Sequence, residues 1–138
     1  MNGRIFLDTN IIIYLYSEDE NDKRNMAYNF VNSSNCVTSI QVMNEASNIW
    51  FRKHNLNKCE ISKYLDEIEA VCDDVMLIRR KTINQAVDIK SQYGYSFYDC
   101  LMLSSALEAN CEVILTEDMQ DGQVIESTLK IVNPFKTS

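Results

Sequence analysis

The sequence predicts an α/β fold, in which helices sandwich a central, mostly parallel sheet of four or five strands. Two observations predict it. Short apolar runs of strand length alternate with longer amphipathic segments of helical period. Only three glycines and one proline occur in 138 residues, so no linker or low-complexity stretch divides the chain, and a single domain over 1–138 is expected. A third observation concerns function. Carboxylates stand where strands end and helices begin, and in an open parallel sheet those two kinds of terminus share the edge at which ligands bind.

The elements follow in order. Residues 4–7 form a short apolar strand, and a helix starts over 11–16. Residues 21–32 read as an amphipathic helix, with Met26, Phe30 and Val31 on one side. Residues 36–39 are a second strand. Residues 40–54 are helical, with Val42, Met43, Ala46, Ile49 and Trp50 at helical spacing. A further helix over 58–72 carries the stripe Ile61, Leu65, Ile68 and Val71. Residues 75–78 make a third strand, and 81–93 a helix that Gly94 ends. Residues 97–109 are a helix carrying Leu101, Leu103 and Leu107, residues 113–115 a fourth strand, and 130–132 a candidate fifth.

Composition narrows the function classes. The hydrophobic fraction of 46% is that of a globular protein. No apolar run approaches the roughly 18 residues of a membrane span, and Asp8 and Asn10 interrupt the N-terminal apolar stretch, so no signal peptide is expected. The five cysteines are odd in number and form no CxxC pair. They read as free thiols in a reducing cytoplasm. A thiol nucleophile needs a partner base, and His54 is the single histidine. The net charge of −7 argues against broad electrostatic binding of nucleic acid, which uses a basic face. It leaves room for an enzyme that grips a few phosphates, and it suits a basic protein partner.

Each acid has a structural and a functional reading. Asp8 ends Ile5-Phe6-Leu7, where an N-cap explains it equally well. The phosphatase pattern of two Asp flanking one residue is broken by Asn10. Glu45 lies mid-helix, where glutamate is ordinarily solvated, but its neighbours Val42, Met43, Ala46 and Ile49 are apolar. Asp99 fits position N3 of a capping box begun by Ser96, and a carboxylate there also faces the helix mouth. Asp118 closes Val113-Ile114-Leu115-Thr116-Glu117-Asp118, where turn chemistry competes. Glu117 and Asp121 are lesser candidates, and Asp121-Gly122 is itself a turn signal.

The conjunction raises the functional reading. Several carboxylates on one edge repel one another unless a cation neutralises them. All-oxygen ligation suits Mg²⁺ or Mn²⁺, and no Cys/His spacing competes as a zinc site. Such an ion lowers the pKa of bound water and stabilises phosphoryl transition-state charge, so hydrolysis would not require His54.

These residues resemble the PIN-domain nucleases, in particular the VapC-like toxins of toxin–antitoxin pairs. The matching stretches are Phe6-Leu7-Asp8-Thr9-Asn10, Thr38-Ser39 leading to Glu45, Ser96-Phe97-Tyr98-Asp99-Cys100-Leu101, and Leu115-Thr116-Glu117-Asp118 through Gly122. The tail Ile131-Val132-Asn133-Pro134-Phe135 is similar too. The resemblance implies a PIN-like three-layer α/β/α sandwich and Mg²⁺- or Mn²⁺-dependent hydrolysis of RNA. It implies Asp8, Glu45, Asp99 and Asp118 as catalytic metal-binding acids. Thr9, Asn10, Thr116 and Asp121 would support them, with Asp121 competing with Asp118 as fourth acid. It further implies a homodimer and an antitoxin bound near the acidic cleft. The basic triplet Arg79-Arg80-Lys81 is a candidate phosphate grip, and also reads as a solvated surface run. Tyr98 is a candidate for base stacking, whereas Trp50 fits the core. Two other functions remain open on the sequence alone: a PIN nuclease of RNA maturation or of DNA, and a non-catalytic protein that binds a basic partner.

Overall fold

A computed structural model describes residues 3–136. Strand β1 (Arg4–Leu7) is followed by α1 (Thr9–Leu15) and α2 (Asn21–Asn32), then β2 (Asn35–Ser39), α3 (Ile40–Arg52) and α4 (Lys58–Val71). After β3 (Asp74–Met76) come α5 (Arg80–Tyr93) and α6 (Phe97–Glu108), then β4 (Cys111–Leu115), β5 (Val124–Ile125) and β6 (Leu129–Val132). The sheet order is β3-β2-β1-β4-β6-β5, and every pairing is parallel except that of β5 with β6.

Strand order fixes the layers. Right-handed crossovers leading from β1 to β2 to β3 place α1 to α4 on one face. The return from β3 across to β4 runs in the opposite direction and places α5 and α6 on the other. This is the expected three-layer sandwich. Covered on both sides, the central strands read as continuous apolar runs: Ile5, Phe6 and Leu7, and Val113, Ile114 and Leu115, are all buried. Helix α6 is apolar most of the way round, with Cys100 through Ala106 buried, because α5 covers the side that the sheet does not. The two helices are pinned by the Ser104 hydroxyl, which donates to the Thr82 carbonyl at 2.9 Å and lies 2.8 Å from Gln85 Oε1.

The sheet has six strands rather than four or five. The extra one, β5, is two residues long and forms a hairpin with β6. Strand β3 covers 74–76 rather than 75–78, set by its register against β2, in which Val37 pairs with Asp74 and Ser39 with Met76. Helix α3 stops at Arg52, two residues short of His54, and Asn55 just beyond it takes a left-handed φ of 52°. Gly94 caps α5 with φ 82°, as its position after Tyr93 predicts. Among the described residues no helix is long and apolar enough to cross a membrane.

Candidate metal and active site

The C-terminal ends of β1, β2 and β4 and the first turns of α1, α3 and α6 meet along one edge of the sheet. Register ties them together: Leu7 pairs with Leu115, and the Asp8 amide donates to the Leu115 carbonyl at 3.3 Å. The Thr38 hydroxyl donates to the Leu7 carbonyl at 3.1 Å, so β2 also holds the end of β1.

Asp8 is 1% exposed and caps α1, its Oδ1 accepting the Ile11 amide at 3.0 Å. The capping reading of Asp8 is met by this bond. Burial pushes its carboxyl up from 3.8 to about 7. The Thr116 hydroxyl and the Ile11 amide oppose that rise by favouring the charged form, whereas the charges of Asp118 and Asp99 add to it.

Asp99 sits in the first turn of α6. Ser96 is the cap, its hydroxyl accepting the Asp99 amide at 3.2 Å. Helix α4 shows the complete box, in which Glu60 accepts the Asn57 amide in return. In α6 no bond from the Ser96 amide to the Asp99 carboxylate is formed, so the reciprocal half of the box is missing there. Burial again raises its pKa first. Ser96 opposes, and Asp118 and Glu45 push in the same direction as burial. Asp118 is raised by burial and then by Glu117, against the Asn10 amide.

Glu45, in the second turn of α3, faces this edge: the Thr9 hydroxyl donates to its Oε2 at 2.8 Å and the Gln41 amide to its Oε1 at 3.1 Å. Asn10 Nδ2 donates to Asp118 Oδ2 at 3.0 Å, and the Asp118 amide donates to the Thr116 hydroxyl at 3.1 Å. Thr9, Asn10 and Thr116 thus hold the acids in place. Asp121 turns elsewhere, accepting the Asn133 amide at 2.8 Å.

Four acids from four segments accordingly fall within electrostatic range of one another. Among the described residues, none of the ion pairs includes Asp8, Glu45, Asp99 or Asp118. Their hydrogen-bond partners are neutral. The donor set is all oxygen and unneutralised, which fits a hard divalent cation. As the side chains stand, no three of the described acids, thiols or imidazoles close around one point.

Other candidates lie apart. Lys81 is 3.9 Å from Glu108 at the last turn of α6, nine residues and about 13 Å along the helix from Asp99. Arg79 and Arg80 begin the same end of α5, where Arg80 Nε donates to Asn84 at 3.2 Å. The structure therefore does not bring the triplet Arg79-Arg80-Lys81 to the acids, because α5 runs antiparallel to α6. Tyr98 is exposed beside Asp99, and Trp50 is core. His54 lines a separate pocket of about 240 Å³ with Glu18, Asp19 and Glu60. An apolar pocket of about 60 Å³ between α1, α2 and α4 touches none of the four acids. Lys23 and Tyr14, which grip Glu117 next to Asp118, have no sequence signal; only the fold brings them there.

The parallel sheet, the shared edge and the four acids define a class of carboxylate-based α/β domain. Within it, a family model described as PIN domain matches residues 5–120, and the chain belongs to the PIN-domain family. No curated protein sequence matches it. Among solved structures it is similar to a toxin–antitoxin complex from Klebsiella pneumoniae, with TM-score 0.72, 18% identity, and 96% of this chain and 99% of that one covered. It is also similar to VapC20 of Mycobacterium tuberculosis, described as a Sarcin-Ricin loop cleaving toxin, with TM-score 0.65, 16% identity and coverage of 80% and 86%. VapBC2 from Rickettsia felis, bound to a DNA fragment from its promoter, aligns with TM-score 0.65, 18% identity and coverage of 94% and 99%. At such identities these likenesses speak for the fold.

Proposed function

We propose that the protein is a cytoplasmic, Mg²⁺- or Mn²⁺-dependent endoribonuclease, built as one domain and acting as the toxin of a toxin–antitoxin pair. The observation that carries this reading is the set Asp8, Glu45, Asp99 and Asp118, gathered on one sheet edge without a basic partner. When bound, the ion supplies Lewis acidity to the scissile phosphate and acidifies a water.

The residues supply the rest. Asp8, which is buried, and Asp99, which is half-buried, would hold the cation. Glu45 and Asp118 complete its shell and orient the attacking water. Thr9 and Asn10 fix the last two carboxylates until they are needed. Water adds at phosphorus, the bond to the 3′ oxygen breaks, and the proton that the water gives up balances the charge on that leaving oxygen. Tyr98 offers an exposed ring for an unpaired base. The triplet Arg79-Arg80-Lys81 would meet only a distant part of the same strand.

The named toxins among the structural neighbours support an antitoxin partner. An Arg or Lys from it would pair with the acids as a charge-assisted mimic of the cation. A homodimer completes the proposal.

Cleavage of single-stranded RNA by the purified chain tests the reading. Activity is expected with Mg²⁺ or Mn²⁺, abolished by EDTA and by Asp8→Asn, and retained by His54→Ala. Cleavage that persists in EDTA or in Asp8→Asn contradicts it.

A further inference from the structure

The segment after β4 holds three acids within five residues: Glu117, Asp118 and Asp121. Asp118 accepts from the neutral Asn10 amide and has no cation beside it among the described residues. Its two neighbours each carry a lysine: Lys23 Nζ is 3.2 Å from Glu117 Oε2, and Lys136 Nζ is 4.0 Å from Asp121 Oδ2.

The grip on Glu117 is the more constrained. The Tyr14 hydroxyl bonds to its other oxygen, Oε1. Lys23 Nζ also donates to the Tyr14 hydroxyl at 3.2 Å. The ammonium lies 4.8 Å from the Tyr14 ring centre and 5.3 Å from that of Phe135, and the two rings meet edge to face at 5.3 Å. Lys23 thus has two rings and two oxygens around it, from α1, the turn and the tail beyond β6. Such a lysine holds its position better than one on an open surface.

We propose that Lys23 is a positioning residue that draws Glu117 out of the acid cluster, so that Asp118 is the acid this turn presents to the metal. Glu117 and Asp118 are consecutive, and a carboxylate freed at 117 would compete for the same cation and pull the turn with it. The proposal rests on the metal-nuclease reading for its effect on turnover, but not for its effect on cation binding. A lysine kept only for packing would behave differently. Methionine would replace its stem on the two rings, and the charge state of residue 117 would not matter to the site.

A double-mutant cycle separates the two accounts. Mn²⁺ affinity is measured by titration calorimetry on the purified full chain, and RNA cleavage in parallel. Lys23→Met is expected to tighten Mn²⁺ binding by about two- to fivefold, the scale of one partly exposed charge pair. It should also lower kcat by roughly tenfold or more through a misplaced Asp118, with KM little changed. Glu117→Gln alone leaves Lys23 unpaired and is expected to weaken Mn²⁺ binding by a comparable factor. The double variant returns affinity and kcat towards wild type, and Lys23→Arg stays close to it. Opposite shifts in Lys23→Met and Glu117→Gln support the proposal; if Lys23→Met does not fold, weaker Mn²⁺ binding in Glu117→Gln with Lys23→Arg at the wild-type value supports it, and an unchanged affinity in Glu117→Gln overturns it. The proposal is overturned if Mn²⁺ affinity is the same in all folded variants, or if the double variant fails to recover. A wild-type chain that binds Mn²⁺ but cleaves no RNA would defeat the nuclease reading and leave the affinity cycle to decide the role of Lys23. One that binds no Mn²⁺ overturns both.

Discussion

At the scale of single residues, Asp8 carries two tasks that favour opposite charge states. As a helix cap, and as the metal ligand proposed above, it works best ionised, yet burial favours the neutral acid. The folded pKa of about 7 lies above the ordinary 3.8, so the folded chain holds this proton more tightly than the unfolded one. Below about 3.8 the group is neutral in both states and costs nothing. As pH rises towards 7 the unfolded chain releases the proton first, and stability falls. In metal-free protein, Asp8→Asn is therefore expected to gain in melting temperature relative to wild type as pH goes from 4 to 7.5, because Asn still caps α1. A difference that stays flat across that range would refute the burial argument. The same position shows what the sequence made legible. Asp8, Asp99 and Asp118 are legible as candidates from the strand or helix that each ends or begins, and Glu45 from the apolar neighbours around it in mid-helix. Lys23, Tyr14 and Phe135 were not, because the contacts that make them matter span 94 residues between Lys23 and Glu117, and no local pattern records them. Arg79, Arg80 and Lys81 show the converse. Adjacent cations are conspicuous in a sequence, but the direction of α5 carries them away from the acids.

At the scale of elements, α6 distinguishes capping from chemistry. Ser96 provides the cap, and the Asp99 carboxylate makes no return bond to the Ser96 amide. Ser96→Ala is expected to lower stability by about 1 kcal/mol without altering metal affinity. Asp99→Asn is expected to abolish cleavage and metal-induced stabilisation while the metal-free melting temperature stays close to wild type. Thermal melts with and without Mn²⁺ measure both, and a large metal-independent loss in Asp99→Asn would make it a cap after all. Periodicity located eleven of the twelve elements because each carries an apolar run of its own. The exception, β5, was invisible for a physical reason. Its turn is closed by the Thr128 amide bonding to the Ile125 carbonyl at 3.2 Å, with φ 50° at Glu126 and 64° at Ser127. Hairpins of this kind ordinarily announce themselves as Asn-Gly, and Glu-Ser does not. Replacing Glu126-Ser127 by Asn-Gly is expected to raise the melting temperature by a few degrees with metal affinity unchanged. A lower melting temperature would show that the left-handed pair is not strained.

At the scale of the whole molecule, net charge and site act together. A chain of charge −7 that concentrates unneutralised acids on one edge should be stabilised by any cation that binds only the folded state. At a hundredfold excess over Kd the gain is about 2.7 kcal/mol, which for a chain of this length is a rise of several degrees. Mn²⁺ in a melting experiment is expected to give that rise in wild type and little in Asp8→Asn; an equal rise in both would place the ion elsewhere. The strand order has a further consequence, for assembly. The sheet ends in β3 on one side and β5 on the other, of three and two residues. Edges so short offer a neighbouring chain almost no unpaired backbone to extend. Any pairing of two copies must then be made by side chains, on helix faces such as that of exposed Ile83 and Val87 in α5, and a single chain has little ladder from which a fibril could grow.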